Sequence, residues 1–157
     1  MMEKKKLTPG QALANARQYC AYQERCHSET KEKLYSHGLG TNDVEQIISQ
    51  LIEEDYLNEE RFAAAFARGK FRMKHWGRVK IRYEMKQRKI TEYCIKRAMK
   101  EIDEEEYIKT LNKLKDDKLR SLKSEKNIFT KKRKLTDYLM QKGYERDIIF
   151  SVLNSED

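Results

Sequence analysis

Apolar residues recur along this chain at intervals of three and four, and no stretch alternates as a strand would. Ala12, Leu13, Ala16, Tyr19 and Cys20 form a first helical stripe. Val44, Ile47, Ile48 and Leu51 form another at i, i+3, i+4 and i+7. Phe62, Ala65, Phe66, Gly69 and Met73 predict the buried face of a fourth helix, and Val79, Ile81 and Met85 that of a fifth. Ile95, Ala98, Met99 and Ile102 follow, then Tyr107, Leu111 and Leu114, then Leu135, Tyr138 and Leu139, and last Ile149, Val152 and Leu153.

Capping signals set the helix limits. Thr8, Pro9 and Gln11 provide a cap, a first-turn proline and the partner of a capping box. A second helix runs from about His27 to His37 and stops at Gly38, and a third covers about Thr41 to Glu54. Asn58 caps the fourth helix, Trp76 and Gly77 open the fifth, Thr91 caps the sixth and Asp103 the seventh, which extends as far as Leu122. Ser121 to Lys132 is polar, basic and weakly periodic, and reads as a loop. The eighth helix ends at Gly143, and the ninth runs from about Glu145 to Leu153.

The helix ends repeat. Leu34 to Leu39, Met85 to Ile90 and Leu139 to Tyr144 share one pattern and start 51 and 54 residues apart. Spacing of this size marks a repeated helical unit that buries part of its face on a neighbour. The expectation is an all-α, elongated molecule. It would comprise a basic tail (1–7) and three three-helix repeats (8–57, 58–102 and 103–157). Gly38 and Gly143 hold the turn in two repeats and Lys89 in the other, so a retained left-handed turn strains that lysine by roughly 1 kcal/mol.

Composition narrows the function. The 157 residues carry a net charge of +8, which favours an acidic partner such as nucleic acid or an acidic protein surface. No apolar run approaches the roughly 18–20 residues that span a bilayer, and the basic N-terminus leads into no signal-peptide core. Cys20, Cys26 and Cys94 fit no disulfide framework and suit a reducing cytoplasm. Cys20, Cys26, His27 and His37 match no zinc spacing, so neither metal nor cofactor is expected. Glycine-rich phosphate loops, nucleophile triads and HExxH motifs are missing, and the chain is read as a non-enzyme.

The charge concentrates in unit two. Between Glu60 and Glu84 there is no acidic residue, while Arg61, Arg68, Lys70, Arg72, Lys74, Arg78, Lys80 and Arg82 are basic. A solvated surface normally mixes both signs, so Arg68 to Arg82 is the candidate binding element, and Lys131, Lys132, Arg133 and Lys134 form a second. Trp76 and Phe71 lie among these cations, where rings can stack on bases. The other reading of Trp76 is a core anchor that staples two helices.

The chain resembles the RecX family of bacterial regulatory proteins. Asp55, Tyr56, Leu57, Arg61, Phe62, Ala63, Phe66, Arg68, Trp76, Gly77, Lys80, Ile81, Glu84, Met85, Lys86 and Ile90 carry the likeness. The flanks add Leu34 with Gly38 and Leu39, and Leu139 with Lys142, Gly143 and Tyr144. The resemblance implies three tandem three-helix repeats forming a curved, all-α molecule that binds the RecA recombinase filament along its groove; a cytoplasmic location and a monomeric state are expected. Such a protein restrains filament growth, ATP hydrolysis, strand exchange and the co-protease activity of the SOS response. Direct contact with single- or double-stranded DNA through the same cations is the alternative. Lys89 departs from the usual glycine, Cys26 from a serine cap and Thr30 from a leucine.

Overall fold

The computed structural model describes residues 6–154; of the proposed basic tail, residues 1–5 lie outside the described part. Leu7 donates its backbone N–H to the His37 carbonyl (3.1 Å) and packs on the first unit, so it belongs to the folded part. Nine helices and no strand occur among the described residues. They are α1 (Pro9–Tyr22), α2 (His27–Ser36), α3 (Thr41–Glu53), α4 (Glu59–Lys74), α5 (Arg78–Gln87), α6 (Glu92–Met99), α7 (Glu104–Ser121), α8 (Ile128–Gln141) and α9 (Arg146–Asn154).

Local chemistry accounts for the starts. The Thr8 hydroxyl accepts from Gln11 N (3.2 Å) while the Gln11 side chain accepts from Thr8 N (3.1 Å), a complete capping box. Asn58, Thr91 and Asp103 accept from the backbone N–H three residues on, at 2.9, 3.4 and 3.1 Å. Each satisfies a donor that would otherwise lack a partner in the first turn, and such a cap is worth about 1 kcal/mol. Glu104, Glu105 and Glu106 add negative charge at the α7 N-terminus, where the helix dipole favours it. Asn127 caps α8 by accepting from Thr130 N (3.1 Å), so the helix starts inside the segment that the sequence assigns to a loop.

Three helices pack into each unit: α1 to α3, α4 to α6 and α7 to α9. The pair α4 and α6 is the most extensive. The cores do not follow this threefold division. Unit one has its own, built on Ala12, Leu34, Val44, Ile48 and Leu51. Units two and three share one continuous core through Phe71, Ile81, Met85, Ile95, Tyr107, Leu111, Leu139 and Ile149. Burying each of these large side chains contributes about 1.5–3 kcal/mol. Cys26, at the start of α2, reaches into that second core and ties unit one to it.

The rotation of α4 differs from the expected one. Its buried residues are Phe62, Ala63, Ala67 and Phe71, whereas Met73 is 81% exposed. Alanine occupies both candidate stripes, so only the partner surface decides between them. Phe71 packs on Tyr107 with ring centroids 5.8 Å apart, which removes it from any stacking surface. Val79, expected in the core, is 52% exposed.

The repeated helix ends keep one backbone shape. Gly38 (φ 83°), Lys89 (φ 60°) and Gly143 (φ 99°) all adopt the left-handed conformation. Lys89 carries the strain that its substitution for glycine implies.

Candidate interaction surface

The α4–α5 connection is built to close two helices around one aromatic ring. His75 ends α4 in a left-handed conformation (φ 58°), and its N–H reaches the Phe71 carbonyl at 3.0 Å. Gly77 then starts α5, leaving Trp76 at the corner. Trp76 is half-buried against the shared core and meets Phe66 edge-on, with centroids 6.5 Å apart.

Cations surround this corner. Lys70 Nζ lies 5.0 Å from the Trp76 ring centroid and 5.5 Å from that of Phe66. Lys80 Nζ lies 4.5 Å from the Trp76 centroid. The Arg88 guanidinium covers Phe66 at 4.8 Å. Lys142, from the third unit, donates to the Lys74 carbonyl at 3.3 Å. The turn of unit three thus adds a lysine to the surface of unit two. Local sequence gives no signal for Lys142; only the packing of the repeats places it there.

Arginine and lysine divide in this region. Arg68 pairs with Glu101 (3.0 Å). Arg78 pairs with Glu104 (3.0 Å) and Glu145 (3.1 Å), and Arg82 with Glu92. The local absence of acidic residues is therefore not an absence in space, because α6, the turn after it, the first residue of α7 and the residue before α9 supply carboxylates to these arginines. Glu92 is held below the usual carboxylate range by its bond to Arg82. Lys70, Arg72, Lys74 and Lys80 have no carboxylate within ion-pair distance among the described residues. Arg72 and Lys74 are exposed; Lys70 and Lys80 are half-buried along their stems.

Arg78 belongs to a denser network. Its backbone N–H donates to the Tyr107 hydroxyl (2.9 Å), which itself donates to the Glu145 carboxylate. The guanidinium lies 3.9 Å from the Tyr107 ring centroid. Tyr107 is fully buried, and desolvation followed by its hydrogen bond to Glu145 raises its phenol well above its ordinary range. Arg78 thus joins unit two to unit three.

The second basic segment lies on α8. Lys134 pairs with Glu125 (3.1 Å), whereas Lys132 and Arg133 are exposed and Lys131 is half-exposed. Beside them Ile128 and Phe129 are 77% and 85% exposed. Sequence reasoning missed this apolar pair, because the first turn of α8 lay within an expected loop.

The remaining chemistry is sparse. A depression of about 590 Å³ between units one and two is lined by His27, Ser28, Tyr35, Glu59, Arg88 and Lys89. There the Ser28 hydroxyl donates to the Arg88 carbonyl (2.8 Å) and acts as a staple between units. Among the described residues no cluster of three or more His, Cys, Asp or Glu is placed to hold a metal. No helix among them is long and apolar enough to cross a membrane. Cys20, Cys26 and Cys94 are free and buried, and burial raises all three thiols above their ordinary range.

The fold is that of a tandem three-helix-repeat protein. The second three-helix domain of RecX matches residues 58–99, and the third matches 104–153. The chain belongs to the RecX family, whose curated members are regulatory proteins. It is 33% identical over 124 residues to the regulatory protein RecX of Clostridium tetani, covering 78% of this chain and 56% of that protein. With the protein of the same description from Bacillus cytotoxicus it shares 28% over 138 residues, covering 88% and 51%. The chain spans about half the length of the curated relatives it matches. The crystal structure of RecX from Lactobacillus salivarius superposes with a TM-score of 0.82 at 22% identity, covering 94% of this chain and 95% of that one. A second crystal structure, of a regulatory protein RecX, gives 0.81 at 20% identity, covering 98% and 81%. At these identities the structural likeness is one of fold.

Proposed function

We propose that this protein is a non-catalytic regulator of the RecA recombinase. It binds the nucleoprotein filament through the cationic surface of unit two and restrains filament growth. ATP hydrolysis, strand exchange and SOS co-protease activity fall as a consequence. It works as a cytoplasmic monomer in recombination and DNA repair. The observation that supports this reading, beside family membership, is the group Lys70, Arg72, Lys74 and Lys80 at the α4–α5 corner, with no carboxylate partner among the described residues. Such a group suits an acidic protein face, and long-range charge speeds the encounter.

The test is the single-strand-dependent ATPase of the cognate RecA, titrated with this protein while DNA is in excess. Inhibition well below one molecule per RecA supports filament binding. Inhibition only when the protein is abundant enough to coat the DNA supports direct DNA binding instead.

That second reading has its own observation. Phe129 stands exposed beside Lys131, Lys132 and Arg133, the combination of ring and cations that single strands use. Binding of this kind weakens steeply with salt, with a slope of about −0.7 per neutralised phosphate on single strands.

A further inference from the structure

The division between arginine and lysine around Trp76 points to a particular ligand chemistry. We infer that Trp76, Lys70 and Lys80 form a carboxylate-recognition site for an acidic protein segment. This inference deepens the proposed function and rests on it for the identity of the partner, but not for the ligand class.

Three observations carry it. First, the two ammonium groups lie 5.0 and 4.5 Å from the centroid of one indole, and neither has an ion-pair partner among the described residues. The ring's negative face holds cations that are otherwise uncommitted, so they are positioned before a ligand arrives. Second, three of the four guanidinium groups from Arg68 to Arg82 are committed, Arg68, Arg78 and Arg82 pairing with glutamates, and among the described residues only Arg72 is left open, so the available charge around the indole is ammonium. Third, the rings offer little to a nucleobase. Phe71 is in the core, Phe66 is covered by Arg88 and Lys70, and Trp76 already faces two lysines. A nucleic-acid groove needs open stacking surfaces and phosphate forks. This corner offers no open stacking surface and a single uncommitted guanidinium, so its paired ammonium charges suit the carboxylates of Asp and Glu side chains, which need no stacking partner.

Approach of carboxylates draws Lys70 and Lys80 away from the ring and outward. Lys142 donates to the Lys74 carbonyl beside this corner. Trp76 is the sole tryptophan, so its emission reports this step directly.

The experiment titrates the full chain with poly-L-glutamate at low salt and follows Trp76 fluorescence, with oligo(dT) of equal charge as the comparison. A saturable change in emission with poly-L-glutamate is expected, with a smaller one for oligo(dT). In the Lys70→Gln/Lys80→Gln double variant the affinity for poly-L-glutamate should fall at least about fivefold. Arginine at both positions should restore it. Circular dichroism should stay unchanged, and the melting temperature should fall by only a few degrees through loss of the two contacts with the Trp76 ring. An equal or larger response to oligo(dT), or full poly-L-glutamate affinity in the folded Gln variant, overturns the carboxylate assignment. Neither result touches the RecA ATPase titration, so failure of this site and failure of the proposed function are read separately.

Discussion

Gly77 and Gly143 meet backbone to backbone where unit two joins unit three. Gly77 donates its N–H to the Lys142 carbonyl at 2.8 Å, and Val79 donates to the Gly143 carbonyl at 2.9 Å. A methyl group on Gly77 would overlap the Gly143 carbonyl, and one on Gly143 would lie 2.7 Å from Lys80 N. Both overlaps are with main chain, which has nowhere to move. Gly77→Ala should therefore destabilise by about 1–3 kcal/mol, the usual range for forced overpacking. Thermal unfolding should show a fall of several degrees. Gly143→Ala should cost more, because φ is 99° there as well. A Gly77→Ala protein melting at the parental temperature would mean that the junction opens without cost.

Lys89 predicts the opposite sign. It holds φ 60° at the turn where the other two units have glycine. Lys89→Gly removes left-handed strain of about 1 kcal/mol but gives the unfolded chain more freedom. The net effect should be a gain of a few tenths of a kcal/mol up to about 1. That raises the melting temperature by up to about 2–4 °C for a chain of this size. Loss of stability in this variant would show that the lysine stem contributes packing.

The turn at Lys89 also shows what could be read from the linear chain. Caps and helix ends are local, so Thr8, Asn58, Thr91, Asp103 and the left-handed repeat turns at Gly38, Lys89 and Gly143 are visible in short windows, whereas the left-handed Asp55 and His75 are not. Nor are facts that depend on distant residues. The rotation of α4 is set by its packing against α6, and alanine on two faces left it ambiguous. Arg68 and Arg78 find glutamates 33 and 26 residues away, so an acid-free window overstated the open charge. The merging of two repeat cores into one needed the junction itself. Asn127 was legible as a cap in principle, but the lysines around it hid the weak periodicity of the first α8 turn.

Alkali should unfold this protein through two buried phenols. Tyr107 and Tyr144 both titrate well above their ordinary range, chiefly through burial, with Glu145 adding to both. A raised folded-state value means that the unfolded chain releases these protons first. Their stabilising contribution is therefore intact below about pH 10, the ordinary tyrosine value, and declines as pH rises above it. Phenolate absorbance should appear together with loss of helicity. Tyr107→Phe should reduce the slope of stability against pH in that range, while lowering stability at neutral pH because Arg78 and Glu145 lose their shared partner.

The thiols offer a probe of native openings. Cys20, Cys26 and Cys94 are buried, and desolvation raises each thiol, which lowers the reactive thiolate fraction. Modification by an aromatic disulfide reagent should be slow in the native state and fast in denaturant. Cys26 bridges the unit-one side to the shared core. If it reacts well before Cys94, unit one opens on its own; equal rates would indicate a single cooperative unit.

Charge reversal separates contact from architecture within the basic run. Arg72 and Lys74 are exposed on the last turn of α4, and neither has a carboxylate partner among the described residues. Their replacement by glutamate should cost about 0.5–2 kcal/mol, because two carboxylates on the last turn of α4 oppose the helix dipole, and should leave the protein folded. It should also abolish inhibition of the RecA ATPase, through repulsion from an acidic partner face. Arg78→Glu is different. It places a third carboxylate beside Glu104 and Glu145 and leaves those two without their cation. Because Arg78 also packs on the buried Tyr107 ring, this variant should lose stability and regulation together. The two variants must therefore be compared at matched folded fraction. If Arg72→Glu/Lys74→Glu keeps full inhibition while folded, the partner contact lies elsewhere, and Lys132 and Arg133 beside Phe129 become the next residues to reverse.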